Sequence, residues 1–311
     1  MVTFRFYLVS LVAVFLALAM GVVVGSTLID RAIVDRLDRS VRTVRDRASR
    51  VQDENDRLEE ELADLREYTD VTASSVVAGT LEGGSVVVVA ERGLQPEPVQ
   101  SAVSLLGDAG AESPGILWLE RGWVLDDEEE REALAGALDV PVTDADRLRD
   151  RAWRRVVAEL QGGSATGEPL QDLVDGGFLT YEGVGEEPSE LADLAGTAEA
   201  AVLVSGPASE LGDGGLVVGM GRVLVDAEVD TVVAEVWRDT EEGPARGAVV
   251  GRVRDAEDLS EAVSTVDDLD LLQGRVAAAL AVAELVEDGR RGDYGYGRDV
   301  DGVLPERTAA E

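Results

Sequence analysis

Carboxylates dominate whatever acid–base chemistry this chain could perform, because 63 Asp and Glu stand beside 28 Arg with no Lys, His or Cys among 311 residues. The missing imidazole and thiol remove His general bases, Cys nucleophiles, disulfides and the usual imidazole or thiolate metal sites. Two acidic runs remain, Asp126 to Glu130 and the group Asp267, Asp268 and Asp270. Either could hold Ca²⁺ or Mg²⁺ weakly through oxygen. Neither has EF-hand spacing, and charge runs are ordinarily solvated faces, so no metal site is expected. Copper fares no better. Cu(I) seeks thioether or thiolate sulfur and Cu(II) imidazole nitrogen, while Met1, Met20 and Met220 are scattered.

Other motifs are equally thin. Gly219-Met220-Gly221 lacks the third glycine and the clear preceding strand of a dinucleotide fingerprint. Without Lys there is no standard P-loop. Ser205-Gly206 follows an apolar run as a nucleophile turn would, yet it has neither a histidine base nor the flanking glycines of a nucleophile elbow. The residues therefore point to no catalytic site, no cofactor and a non-enzymatic protein.

The elements that would position these groups begin with an anchor. Phe6 to Ile29 is a charge-free stretch of 24 residues, about 36 Å of helix against a hydrocarbon core of about 30 Å. A cleaved signal peptide is the competing reading, but more helix follows directly. Ala13, Ala17, Gly21 and Gly25 recur every four residues and make one smooth face that includes a GxxxG unit. Small residues let two helices approach closely in lipid.

A heptad pattern follows. Val34, Val41, Ala48, Asn55 and Leu62 fall at position a, and Leu37, Val44, Val51, Leu58 and Leu65 at d. Branched residues at a with Leu at d suit a parallel two-stranded coiled coil, and a single buried Asn sets register. Both copies leave the same bilayer, so the spacing predicts a parallel homodimer. Residues 31–50 carry seven Arg and three acids, residues 53–70 two Arg and nine acids. The basic half adjoins the anchor, where anionic lipid head groups would attract it. Charge alone leaves the orientation open, because Asp residues interleave the Arg that follow the span.

Beyond residue 70 the pattern becomes α/β. Ser85–Ala90, Gly115–Leu119, Gly177–Tyr181, Ala200–Ser205, Thr231–Trp237 and Gly247–Val253 read as strands. Pro96–Leu106, Asp126–Leu138, Asp144–Leu160, Leu170–Val174 and Gly274–Glu287 read as helices, and Leu216–Val225 fits either. Continuous apolar strands alternating with helices predict a three-layer α/β domain with a mostly parallel sheet. The expected organisation is an anchor over 1–29, a coiled-coil stalk over 30–70, the α/β domain over 75–289 and a flexible tail over 290–311. The formal charge of −35 disfavours nucleic acid as a ligand. It also fits a surface adapted to high salt.

Two blocks carry a family resemblance. Val9 to Ser26, and Ser264-Thr265-Val266-Asp267-Asp268-Leu269-Asp270 with Gly274-Arg275 and Gly292-Asp293-Tyr294-Gly295, resemble the mycobacterial copper transport protein B family, also described as copper transport outer membrane proteins. The resemblance implies an actinobacterial cell-envelope protein associated with copper efflux, with its large domain facing outward. Related proteins are linked to a membrane partner in cell division and to control of peptidoglycan hydrolases. No ligand residues carry over. Continuous apolar strands also do not read as a transmembrane barrel, whose strands alternate. The reading is a dimeric envelope scaffold with membrane lipid and a membrane or cell-wall protein as partners. The alternative is a regulator of cell division and peptidoglycan hydrolysis with no direct copper role.

Overall fold

The structure is a computed structural model that describes residues 2–112, 115–142, 144–162, 168–185, 190–196, 198–212, 214–238 and 245–306. Within its first helix, the side chains of 2–5, 25–36, 38, 39, 66 and 70 lie outside the described set. The chain divides into two units, Met1–Tyr68 and Thr69–Glu311.

The first unit is helical throughout. Helix α1 runs over Val2–Val77 without a break, so its last turns belong to the second unit. No Pro or Gly occurs from Asp30 to Val71, and nothing in that stretch stops a helix. Phe6–Val24 is apolar enough to cross a membrane, which fits a single-pass anchor. Gly25 to Ile29 of the expected span lie outside the described side chains.

The second unit is built on a seven-stranded sheet in the order β3-β2-β1-β4-β5-β6-β7. The strands are β1 (Val86–Glu91), β2 (Gly115–Leu119), β3 (Leu179–Gly183), β4 (Ala200–Ser205), β5 (Asp230–Glu235), β6 (Ser264–Val266) and β7 (Asp293–Tyr294). Every neighbouring pair is parallel except β2 with β3. Every residue of β1, β2 and β4 is buried, because crossover helices cover both faces of a parallel sheet. On the β3 edge only Leu179 is buried.

Alternate residues divide the core. Val86, Val88 and Ala90 face a layer made by the end of α1, α2 (Pro96–Asp108) and α8 (Leu272–Asp288). Val87 and Val89 face α3 (Glu128–Ala137), α4 (Ala145–Gly162), α5 (Glu168–Asp175), α6 (Gly215–Asp226) and α7 (Val250–Arg254). The α/β class and the mostly parallel sheet therefore hold.

Three local readings change. Gly247–Val253, expected as a strand, leads into and forms most of α7. The buried Glu235 carboxylate accepts the backbone N–H groups of Gly247, Val249 and Val250 at 3.0, 2.8 and 3.2 Å, which satisfies donors at a helix start. Leu216–Val225 resolves as helix within α6. The segment expected as a flexible tail instead supplies β7, parallel to β6. Its Tyr294 is buried and donates to Glu284 at 2.9 Å. Gly162-Gly163-Ser164-Ala165-Thr166-Gly167 reads from its residues as a flexible loop, and 163–167 lie outside the described residues.

Candidate functional site

Ligands of open α/β sheets bind off the carboxyl ends of the strands, where the winding reverses. Here that point lies between β1 and β4. β1 ends at Glu91 and β4 at Ser205, and both are buried. Ser205 Oγ donates to Glu91 Oε2 at 2.6 Å. Burial pushes the Glu91 pKa up, while hydrogen bonds from Ser205 and Ser209 pull it partly back. The following loops close over the pair. Glu210 N donates to the Arg92 carbonyl at 2.8 Å, and a Cβ on Gly206 would stand 2.2 Å from the Val236 oxygen. These contacts draw the loops together across the crevice where such folds take a nucleotide. Ser205 is held as a donor to a carboxylate, in keeping with a structural loop.

A second carboxylate group lies at the ends of β5 and β6, and here the acidic run is not a solvated face. Asp267 and Asp268 are fully buried. Asp267 accepts from the backbone N–H of Tyr296 and Gly297 at 2.8 and 3.0 Å. Its carboxylate sits so close to Gly295 (φ +125°) that a Cβ there would meet Oδ1 at 2.2 Å. Asp270 takes a forked pair of bonds from Arg246 at 2.7 and 2.9 Å, and the Arg246 guanidinium lies 4.5 Å above the Trp237 ring. Arg254 donates to Thr265 at 2.7 Å and pairs with Asp267 and Asp293. Blocks separated by some thirty residues in the sequence, around Asp267 and around Tyr294, therefore form one fastening. The signal available in the sequence was the alternation of glycines around Tyr294 and Tyr296.

Replacing Asp267 with Ala is expected to free the segment beyond Gly292, since it removes one of the two carboxylates paired with Arg254 and the acceptor for two amides. Breaking one side of a buried charge pair costs about 3–5 kcal/mol. Faster amide exchange at Tyr296 and Gly297, together with a lower unfolding midpoint, is the expected result. Unchanged exchange would remove the fastening role.

Asp268 is different. Neither carboxylate oxygen has a hydrogen-bond partner among the described residues, although both are buried. Burial first, then the charge of Asp267, pushes its pKa up to about 7 against the opposing pull of Arg246. The other acidic run behaves as a helix start. Asp127 Oδ1 accepts from Glu130 N at 2.8 Å, and Glu130 reaches back to Asp126 N at 2.8 Å. Gly219-Met220-Gly221 lies inside α6 and forms no phosphate loop.

The residues expected to mediate pairing lie along α1. Ala13, Ala17 and Gly21 are exposed, while Gly25 lies outside the described side chains. Val41 (39%), Val44 (63%), Val51 (60%), Leu58 (45%), Leu62 (50%) and Leu65 (56%) leave large fractions of their surface uncovered. Asn55 is exposed among them, and Val34 is outside the described side chains. Residues three and four apart on a helix share a face, so this is one apolar stripe.

A family model described as "Copper transport outer membrane protein, MctB" matches residues 1–305. The chain belongs to that family. The protein named Copper transporter MctB of Mycobacterium tuberculosis is 28% identical over 317 residues, covering 96% of this chain and 97% of the relative. The Mycobacterium leprae protein of the same name is 25% identical over 319 residues, with the same coverage. Copper would be cargo for an MctB-type transporter, and the side chains present do not suit it. Met220 is buried in the core and Met20 is exposed on α1. Among the described residues no three His, Cys, Asp or Glu gather in a way that could hold a metal ion. In this MctB family member the acidic run around Asp267 is occupied with fastening its own chain.

Proposed function

We propose that this MctB family member is a non-enzymatic envelope scaffold, anchored by one membrane helix with its α/β domain on the outer side. Two copies pair in parallel through α1, and the protein contributes to copper homeostasis without binding copper itself. The observation that carries the reading is the apolar stripe from Val41 to Leu65, left uncovered on a helix without breaks. Each buried Leu or Val gains about 1.5–3 kcal/mol over its exposed state. A second copy of the same helix supplies the cover, and Asn55 at position a fixes the register. The exposed Arg42, Arg45, Arg47 and Arg50 provide cations for anionic head groups. The absence of thiolate and imidazole supports a role beside the metal path.

Because the chain has no native Cys, a single Asn55→Cys variant reports pairing cleanly. Mild oxidation in native membranes is expected to give a disulfide dimer, and the same purified sample is expected to hold no stoichiometric copper. Monomer alone removes the paired scaffold. Copper at one equivalent or more per chain overturns the indirect role.

A further inference from the structure

Four tryptophans occur in the chain, and buried indole N–H groups ordinarily find an acceptor. Trp118 Nε1 donates to Glu182 and Trp123 Nε1 to the Phe178 carbonyl, both at 2.7 Å. Trp153 is only 2% exposed, yet its N–H meets no acceptor among the described residues. Its ring stacks on Trp123 at 3.7 Å between centroids, so one ring face is covered by protein. The indole also lines a cleft of about 790 Å³ bounded by α4 and α6.

Gly219 keeps that floor open. It sits in the middle of α6, where Gly is a poorer helix former than Ala. Its φ is not left-handed, and a Cβ would meet nothing nearer than Trp153 Nε1 at 3.8 Å. Neither backbone conformation nor crowding demands glycine here. What its missing side chain does is uncover the indole N–H.

The walls and rim indicate the ligand class. Leu211, Leu216 and Val223 supply an apolar part of the wall beside the charged rim. The rim arginines are already matched. Arg154 pairs with Asp150 and Asp226, and Arg222 with Asp258. Arg149 likewise pairs with Asp146, so the cleft offers no free cation to an anionic ligand and one unmet donor. We propose that it binds an uncharged peptide-like ligand, an apolar side chain whose adjoining amide carbonyl accepts the Trp153 N–H. The volume lies within the range of ligand sites of about 300–1,000 Å³ and accommodates a short peptide segment.

The test titrates N-acetyl-leucinamide into the full chain in detergent micelles, with nitrogen-15 at the four indole positions and signals assigned with Trp153→Phe. A saturable shift confined to Trp153 is expected. Gly219→Leu covers the N–H and weakens apparent affinity at least about tenfold, the scale of one lost hydrogen bond. Gly219→Ala is expected to raise the unfolding midpoint while weakening binding, a combination that damage to the fold cannot produce. The proposal falls if Trp153 shows no saturable shift. It falls equally if Gly219→Ala binds like the parent, or if the anion isocaproate binds more tightly than the amide.

Discussion

Replacing Leu58 and Leu62 together by Asp leaves the protein monomeric under conditions where the Asn55→Cys chain crosslinks. Both side chains sit on the uncovered stripe of α1, at 45% and 50% exposure, and in a parallel pair they occupy adjacent d and a layers. Truncating a packed Leu costs about 2–5 kcal/mol, and a carboxylate in the same layer must also lose its water. Two substitutions in each of two chains weaken pairing at least about a thousandfold, since each 1.4 kcal/mol is a factor of ten. The monomeric helix itself loses little, because both sites are exposed there and Asp is only a moderately poorer helix former than Leu. The readout is crosslinked fraction in membranes with the helical circular dichroism preserved. A dimer that survives both substitutions would place the contact elsewhere, for instance on the face of Ala13, Ala17 and Gly21.

Replacing Asp268 with Asn raises the unfolding midpoint at pH 8 and has little effect at pH 4. The folded carboxyl titrates near 7 because burial, then Asp267 and Asp270, oppose its charge more than Arg246 supports it. Its unfolded counterpart titrates near the ordinary 3.9. Between those values the folded chain binds more protons than the unfolded chain, so stability falls as pH rises from about 4 to about 7. A gap of about three units sets a ceiling of about 4 kcal/mol on the loss. Asn keeps the shape and cannot ionise, so it removes this slope. Glu91 and Glu235, both raised by burial, add slope of the same sign and leave a residue of pH dependence in the variant. Identical pH profiles for the two proteins, measured by denaturant unfolding from pH 4 to 8, would show that Asp268 is not charged and buried together.

Most of the framework was legible in the residues. β2 and β4 appear at the expected bounds and β1 within one residue, because strands covered on both faces are continuous apolar runs. Helices α2, α3 and α4 appear within about two residues at each end for the same local reason, their capping and periodicity. The stretch from Gly247 to Val253 misled because Val-Val-Gly-Arg-Val has β-branched composition. Three N–H groups accepted by a Glu235 carboxylate twelve or more residues away outweighed that propensity. The tail from Gly289 looked loose because its glycines have no packing of their own. Gly295 and Gly297 serve the approach to Asp267, which no local pattern reveals. The cleft at Trp153 was equally hidden, since Gly219 reads only as part of an incomplete nucleotide motif.

The sequence alone determined the apolar span, the heptad stripe, the exclusion of thiol and imidazole chemistry and the alternation of strands and helices. Each depends on residue type or on spacing within one element, which a linear reading contains. Tertiary structure decided which carboxylates are solvated and which are buried, where the last strand goes, and that one indole N–H faces an open cleft. Those outcomes depend on which distant backbone donors and side chains arrive beside a residue, and burial reverses the cost of a charge or an unmet hydrogen bond.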